Sequence, residues 1–319
     1  MSDIISIKKQ DTSPYRTSTE LARRRRWNRN VPLLIMFTPI VLYFLVFKYG
    51  PMGGLVISFK HYNFIDGVWG SPWAGFTYFR LIFSNPRSLD IIRNTFVLSL
   101  MLVFIGFPFP IILAIMINEA RNMAFKRSVQ TLVYMPHFLS WVIVGSIIIT
   151  IFNQSTGFAN YVYRSVMGRP YPFLLQPGTW RTIFVSSGIW KSMGWSAIIY
   201  LAALATIDPE LYDSAKIDGA GKWRQIRHIT IPGITSIMAL LFILSMGNVM
   251  EIGFDHVFVL QNQAVSNVSE VITTYVYKVG LLGGQFSLTA AMGFFQSGIG
   301  LILVFTANLI ARRWGRALW

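Results

Sequence analysis

A chain of 319 residues that is 53% hydrophobic and 15% aromatic but only 13% charged, with a mean hydropathy of +0.50, is composed like a polytopic membrane protein and excludes an ordinary soluble domain. A net charge of +15 invites a nucleic-acid partner, but the basic residues line the edges of apolar segments and no recognition motif accompanies them, so nucleic acid is set aside. The absence of cysteine removes disulfides, thiol catalysis and cysteine-ligated metal.

Residues 1–29 are polar and basic with no apolar period and read as a cytoplasmic tail against anionic headgroups. Crossing the hydrocarbon takes roughly 20 apolar residues, and six such segments follow, centred on Phe37, Val103, Val144, Ala197, Leu241 and Leu303. Strand-like alternation is absent, so the predicted fold is all-α with six membrane-spanning helices. The first apolar segment, from Val31 to Phe59, lacks a small-residue cleavage pattern and reads as a retained helix; with the aromatic, Gly- and Pro-rich external loop after it, it fills 30–89. A five-helix core is expected over 90–311, with Pro108 and Pro110 kinking the second span, and a short cytoplasmic tail at 312–319.

Lys8, Lys9, Arg16, Arg23 to Arg26 and Arg29 precede the first span; Arg121, Lys126 and Arg127 join the second to the third; Lys216, Lys222, Arg224 and Arg227 join the fourth to the fifth; and Arg312, Arg313 and Arg316 close the chain. Alternating spans put all four groups, roughly 18 of the 28 basic residues, on one side, which the positive-inside rule assigns to the cytoplasm together with both termini.

Intramembrane polar residues are costly, about 2.5–3.5 kcal/mol for a charge at a helix centre, so each asks for a partner or a wet cavity. In the fourth span Trp190, Lys191 and Trp195 lie together: an indole face suits a pyranose ring, and it equally suits a membrane interface. Lys191 falls about 15 Å below a span entering near Trp180 and calls for Glu251, for snorkelling outward, or for a substrate carboxylate. In the fifth span Ser245, Asn248, Glu251 and Asp255 form one polar stripe at 100° per residue, the last two approaching outer water. Gln296 in the last span can both donate and accept, to substrate or to a neighbouring helix, and Gly293, Gly298 and Gly300 offer close helix contacts there.

Between the fourth and fifth spans lies "DPELYDSAKIDGAGKWRQIRHITIP", residues 208–232. Asp208 caps and Pro209 opens a first short helix; Gly219 and Gly221 allow a bend; Trp223, Ile226, Ile229 and Thr230 line a second short helix that stops at Pro232, where the next span starts. This reads either as a docking element for a soluble partner or as a hairpin lying on headgroups. The spacing resembles the cytoplasmic signature of binding-protein-dependent ABC importer permeases, Glu-Ala-Ala, two residues, Asp-Gly-Ala, eight residues, Ile-x-Leu-Pro. Asp213, Ser214 and Ala215 stand at the first triplet, Asp218, Gly219 and Ala220 at the second, and Ile229, Ile231 and Pro232 at the end, with three conservative departures.

The resemblance spans roughly residues 90–311 and looks like the carbohydrate-uptake branch, with a texture similar to permeases for larger plant or algal oligosaccharides, including acidic, pectin-derived ones. It implies a type I importer permease in a bacterial plasma membrane, a second homologous permease, two cytoplasmic ABC ATPase subunits and an extracytoplasmic solute-binding protein. It further implies alternating access, ATPase coupling through the residues at the signature positions, and no cofactor on this chain, ATP and Mg being used by the partner ATPase. "GAGK" at 219–222 is not a phosphate loop, because Lys216 stands where glycine is needed and Trp223 where Ser or Thr is. His61, His137, His228 and His256 are scattered and give no metal or catalytic constellation. A permease for another small solute remains an alternative, as do a secondary transporter, which would share the buried polar groups but has no use for the cytoplasmic signature, and a membrane scaffold.

The topology is tested by labelling single cysteines placed in this cysteine-free chain: positions 69 and 168 should react with an impermeant reagent from outside and position 222 only from inside, and external labelling at 222 would overturn it.

Overall fold

The computed structural model describes residues 18–313, with side chains described from Asn30 onward. Lys8, Lys9, Arg16 and Arg316 of the expected basic tails lie outside the described residues. The described residues are helical, with one isolated antiparallel bridge, Lys60 to Trp73. Contacts divide the chain into two units, Met1–Val56 and Ile57–Trp319.

The first unit is built on the helix Ser18–Phe44, which continues through a π-helical turn, Leu45–Tyr49, into a 3-10 stretch, Gly50–Phe59. Helix therefore takes in Ser18 to Arg29, the last twelve residues of the segment expected to be a polar, basic tail. The apolar part, Asn30–Phe59, is long enough to cross a membrane, and none of its apolar window is buried within the chain.

Among the described residues, four helices are long and apolar enough to cross a membrane: Asn30–Phe59, Pro86–Glu119, Lys222–Gly247 and Phe286–Arg313, matching the segments expected around Phe37, Val103, Leu241 and Leu303. The segment around Ala197 is an unbroken 28-residue helix, Pro177–Leu204, long enough to cross but diluted by Arg181, Lys191 and several serines. The segment around Val144 departs from expectation. Two helices, Met123–Phe138 and Trp141–Phe152, meet there at 102°, because Leu139 turns extended and the Ser140 Oγ accepts the N–H of Ile143 at 3.3 Å, starting a new helix. Counting that pair as one span gives five that meet the length and apolarity requirement, against the six expected.

Two prolines follow a widened turn in the helix ahead of them. A π turn at Met101–Ile105 precedes Pro108, and another at Ile226–Thr230 precedes Pro232, so that the carbonyl a proline ring would strike moves aside while the helix continues. Contact between helices depends on small residues. Gly194 lies so close to the Val133 carbonyl that no side chain fits, and a Cβ on Gly300 would sit 3.1 Å from the Gly247 carbonyl oxygen. Gly293 and Gly298 face open space instead.

Apolar side chains of Ile57–Trp319 gather in three buried clusters, centred on Phe184 and Val257, on Met250 and Met292, and on Ala197 and Ile234. Many large apolar side chains point outward, as lipid-facing helices require. The segments joining the helices are stitched by side chains: the Trp180 Nε1–H donates to the Leu260 carbonyl at 2.9 Å, the Asn262 Nδ2–H to Leu174 at 2.9 Å, and the Asn94 Nδ2–H to Asn267 at 2.8 Å.

The crossing at Gly194 generates a stability prediction. Gly194→Ala forces a backbone shift and should cost about 1–3 kcal/mol, read as a lowered unfolding midpoint in detergent, whereas Gly298→Ala meets nothing and should leave the midpoint unchanged or raised.

Candidate functional site: the segment after the fourth span and the cavity near Lys191

The Asp208 side chain accepts the N–H of Glu210 at 2.9 Å and caps the helix Pro209–Ile217, with Pro209 in its first turn. Two paired bonds close the far end: the Gly219 N–H donates to the Lys216 carbonyl at 3.0 Å and the Ala220 N–H to Ala215 at 2.8 Å. This closure puts Gly219 at φ +72°, the left-handed region that glycine enters without strain. Gly221, at φ −66°, needs no such freedom.

Beyond the bend the structure corrects one expectation. The second arm is not a separate short helix: Lys222 opens a continuous helix to Gly247, and Pro232 lies within it, tolerated by the π turn ahead. Asp213, Ser214, Asp218 and Gly219 are exposed, while Ala215, Ala220 and Ile229 are half-buried and seat the segment. Asp213 pairs with Lys216 at 2.8 Å. Ile217 and Trp223, 87% and 75% exposed, present apolar surface to whatever lies beyond. The segment is fastened from behind by Tyr212 Oη to Thr230 Oγ1 at 3.1 Å, by the Gln225 Nε2–H to the Ala220 carbonyl at 2.9 Å, and by an ion pair of Lys222 with Glu119 at 2.6 Å.

The helix Pro177–Leu204 turns Trp190 and Lys191 to different faces. Trp190 lines an apolar groove with Met101, Ile105 and Phe109. The Lys191 Nζ–H donates to the His137 carbonyl at 2.8 Å, and the ammonium lies 5.4 Å from the Trp141 ring centroid. That carbonyl belongs to the last turn of Met123–Phe138, where carbonyls lack helical donors and the helix dipole favours a cation. Trp195 stacks on the His137 ring at 4.6 Å. Glu251 does not answer Lys191; neither residue belongs to an ion pair among the described residues.

Trp141 and Phe184 sandwich His256, with ring centroids at 3.6 and 3.9 Å, and His256 Nε2 meets Ser187 Oγ at 3.1 Å. Trp141 and His256, with Ser192, Ser196, Tyr200 and Ser245, line a cavity of about 450 Å³, large enough for a sugar residue.

The polar stripe expected on the fifth span is broken. The helix stops at Gly247, Asn248–Gly253 is non-helical, and a new helix runs Phe254–Leu260 with Asp255 in its first turn. Ser245 lines the cavity, whereas Asn248, Glu251 and Asp255 are exposed and share no helix face with it. The Gln296 Nε2–H donates to the Met250 carbonyl at 2.6 Å, serving the break rather than a ligand. Sequence reasoning missed Glu119, His137, Trp141 and His256 as site residues, since these partners lie 54 to 115 positions away in the chain and only the packing of helices brings them together.

Residues 106–316 match the family described as binding-protein-dependent transport system inner membrane component. The chain is 44% identical over 283 residues to the polygalacturonan/rhamnogalacturonan transport system permease protein YteP of Bacillus subtilis, covering 89% of this chain and 88% of that protein. Among solved structures it is similar to a chain of a bacterial ABC transporter involved in the import of the acidic polysaccharide alginate, with TM-score 0.83, 38% identity, and coverage of 91% of this chain and 99% of that one. A second structure, of a bacterial alginate ABC transporter in complex with an alginate pentasaccharide-bound periplasmic protein, gives TM-score 0.83 at 37% identity, covering 92% and 98%.

The backbone at the bend can be tested directly. Gly219→Val meets no neighbouring atom, so its effect is conformational, about 1 kcal/mol or more, and amide exchange over 209–220 should quicken roughly fivefold, while Gly221→Ala should leave it unchanged.

Proposed function

Since this chain belongs to the binding-protein-dependent transport system inner membrane components, multi-pass proteins of the bacterial plasma membrane, we propose that it forms half of the path by which an acidic oligosaccharide is imported. The observation that carries the substrate class is the Lys191 ammonium, which has a carbonyl and an aromatic face for company but no carboxylate among the described residues, near a cavity of about 450 Å³ whose largely apolar wall carries the Trp141 indole, the His256 imidazole and the hydroxyls of Ser192, Ser196, Tyr200 and Ser245. Such walls offer a ring face to a sugar and donors and acceptors to its hydroxyls. The names of the relatives agree, since polygalacturonan, rhamnogalacturonan and alginate all carry uronic acids.

In this reading both termini and the segment Pro209–Ala220 face the cytoplasm, and Ile217 and Trp223 dock into a cleft of a separate ABC ATPase, two copies of which use ATP and Mg. A second, homologous permease completes the pathway, and an extracytoplasmic binding protein delivers the saccharide. The chain itself takes no cofactor and performs no chemistry. Closure of the ATPase pair moves the docked segment as a rigid body, and the spans follow from inward- to outward-open. Trp195, stacked on His137, belongs to the support of Lys191, and Trp190 to a lipid- or partner-facing surface.

The substrate claim is tested by uptake of acidic against neutral oligosaccharides of equal length. Lys191→Met should lower acidic uptake about tenfold or more, the loss of one charge-assisted contact, and leave neutral uptake within about twofold. Equal losses for both, or none, would reject it.

A further inference from the structure

We infer that Glu119 is a positioning residue for energy coupling: its ion pair with Lys222 is a rigid strut that makes the helix Pro86–Glu119 move together with the coupling segment. The inference rests on the coupling role proposed above and adds a route by which motion enters the cavity walls.

The pair is close, 2.6 Å between Nζ and Oε2, and lopsided, with the Glu119 side chain 25% exposed and that of Lys222 60% exposed. The acid is set in the protein and the base reaches back to it. Their places in the helices are informative. Glu119 is the last residue of Pro108–Glu119, where unsatisfied carbonyls gather negative potential, and Lys222 is the first of its helix, where N–H groups gather positive potential. Each charge alone therefore stands at the wrong end of its own helix, and only the other offsets it. Opening the pair leaves both ends mismatched, so the closed state is favoured beyond simple attraction.

The location matches the task. Tyr212 to Thr230 and Gln225 to Ala220 fasten the helix Pro209–Ile217 to the arm that Lys222 begins, so movement of the docked helix enters that arm. Covalent continuity carries it into Lys222–Gly247, which supplies Leu241 and Ser245 to the cavity wall. The strut carries it into Pro86–Glu119, which supplies Leu102, Gly106 and Pro110 to the same cavity. Two walls are thus driven by one lever.

The test uses the complete importer in liposomes, with ATP hydrolysis and saccharide uptake measured together. Glu119→Gln and Lys222→Met should keep hydrolysis while uptake per ATP falls about fivefold or more. The charge swap E119K/K222E, which suits both helix ends, should restore it to within about twofold. In this cysteine-free chain, E119C/K222C should lose uptake as the single variants do and regain it when a short bis-thiosulfonate bridges the two positions, with reagent-treated wild type as control. Normal uptake by the single variants, failure of the swap, or a bridged form that hydrolyses ATP without transporting would overturn the strut. Absence of ATP-driven uptake by the wild-type importer would instead reject the importer reading itself.

Discussion

Inside hydrocarbon no water is available to hydrogen-bond a bare peptide group, so every interruption of a helix has to be closed by the protein itself. This chain interrupts its helices often, and several buried or half-buried polar side chains serve as the closures. Gln296 answers the carbonyl of Met250 in the break after Gly247. Asn94 answers Asn267 and Glu270, the Thr95 hydroxyl accepts the N–H of Ile272 at 2.9 Å, and Trp180 answers Leu260. In each case the donor or acceptor comes from an unbroken helix and the orphan group from a broken one.

That asymmetry divides the molecule into parts that hold and parts that are held. Pro86–Glu119, Pro177–Leu204 and Phe286–Arg313 supply the closures, while 248–275 receives them. Arg87 and Lys278 clasp the buried Glu270 carboxylate at 2.9 and 3.4 Å and fix the same segment again. His256 sits within the held part, and its own contacts with Ser187, Trp141 and Phe184 fix it in the cavity wall.

The segment Asp208–Ala220 was the most legible part of the sequence because its determinants are local: a capping aspartate, a proline after it and a glycine at the closure act within a few residues of themselves. Spans were legible as apolar runs, but their breaks were not. The fifth span keeps a regular polar period through Ser245, Asn248 and Glu251, and nothing in that period announces that the helix ends at Gly247. The stop is tolerated because distant side chains satisfy what it exposes: Gln296, 46 residues beyond Met250, takes that carbonyl, and the Thr273 hydroxyl takes the carbonyl of Ile252. The same holds for the bend at Leu139 and for Lys191, whose partner is a backbone atom and so leaves no mark in side-chain patterns.

The π turn at Ile226–Thr230 does more than admit a proline. One extra residue in a turn advances every later side chain by about 100° around the axis, so the azimuth of the arm above it and of the span below it are set independently. Above the turn Trp223 and Arg224 face outward while Gln225 is buried; below it Ile234 and Ile243 face inward. The two stretches share an axis but not a phase. The exposed face of the arm and the packed face of the span are therefore oriented separately within one continuous helix, which a regular α-helix of the same length could not do.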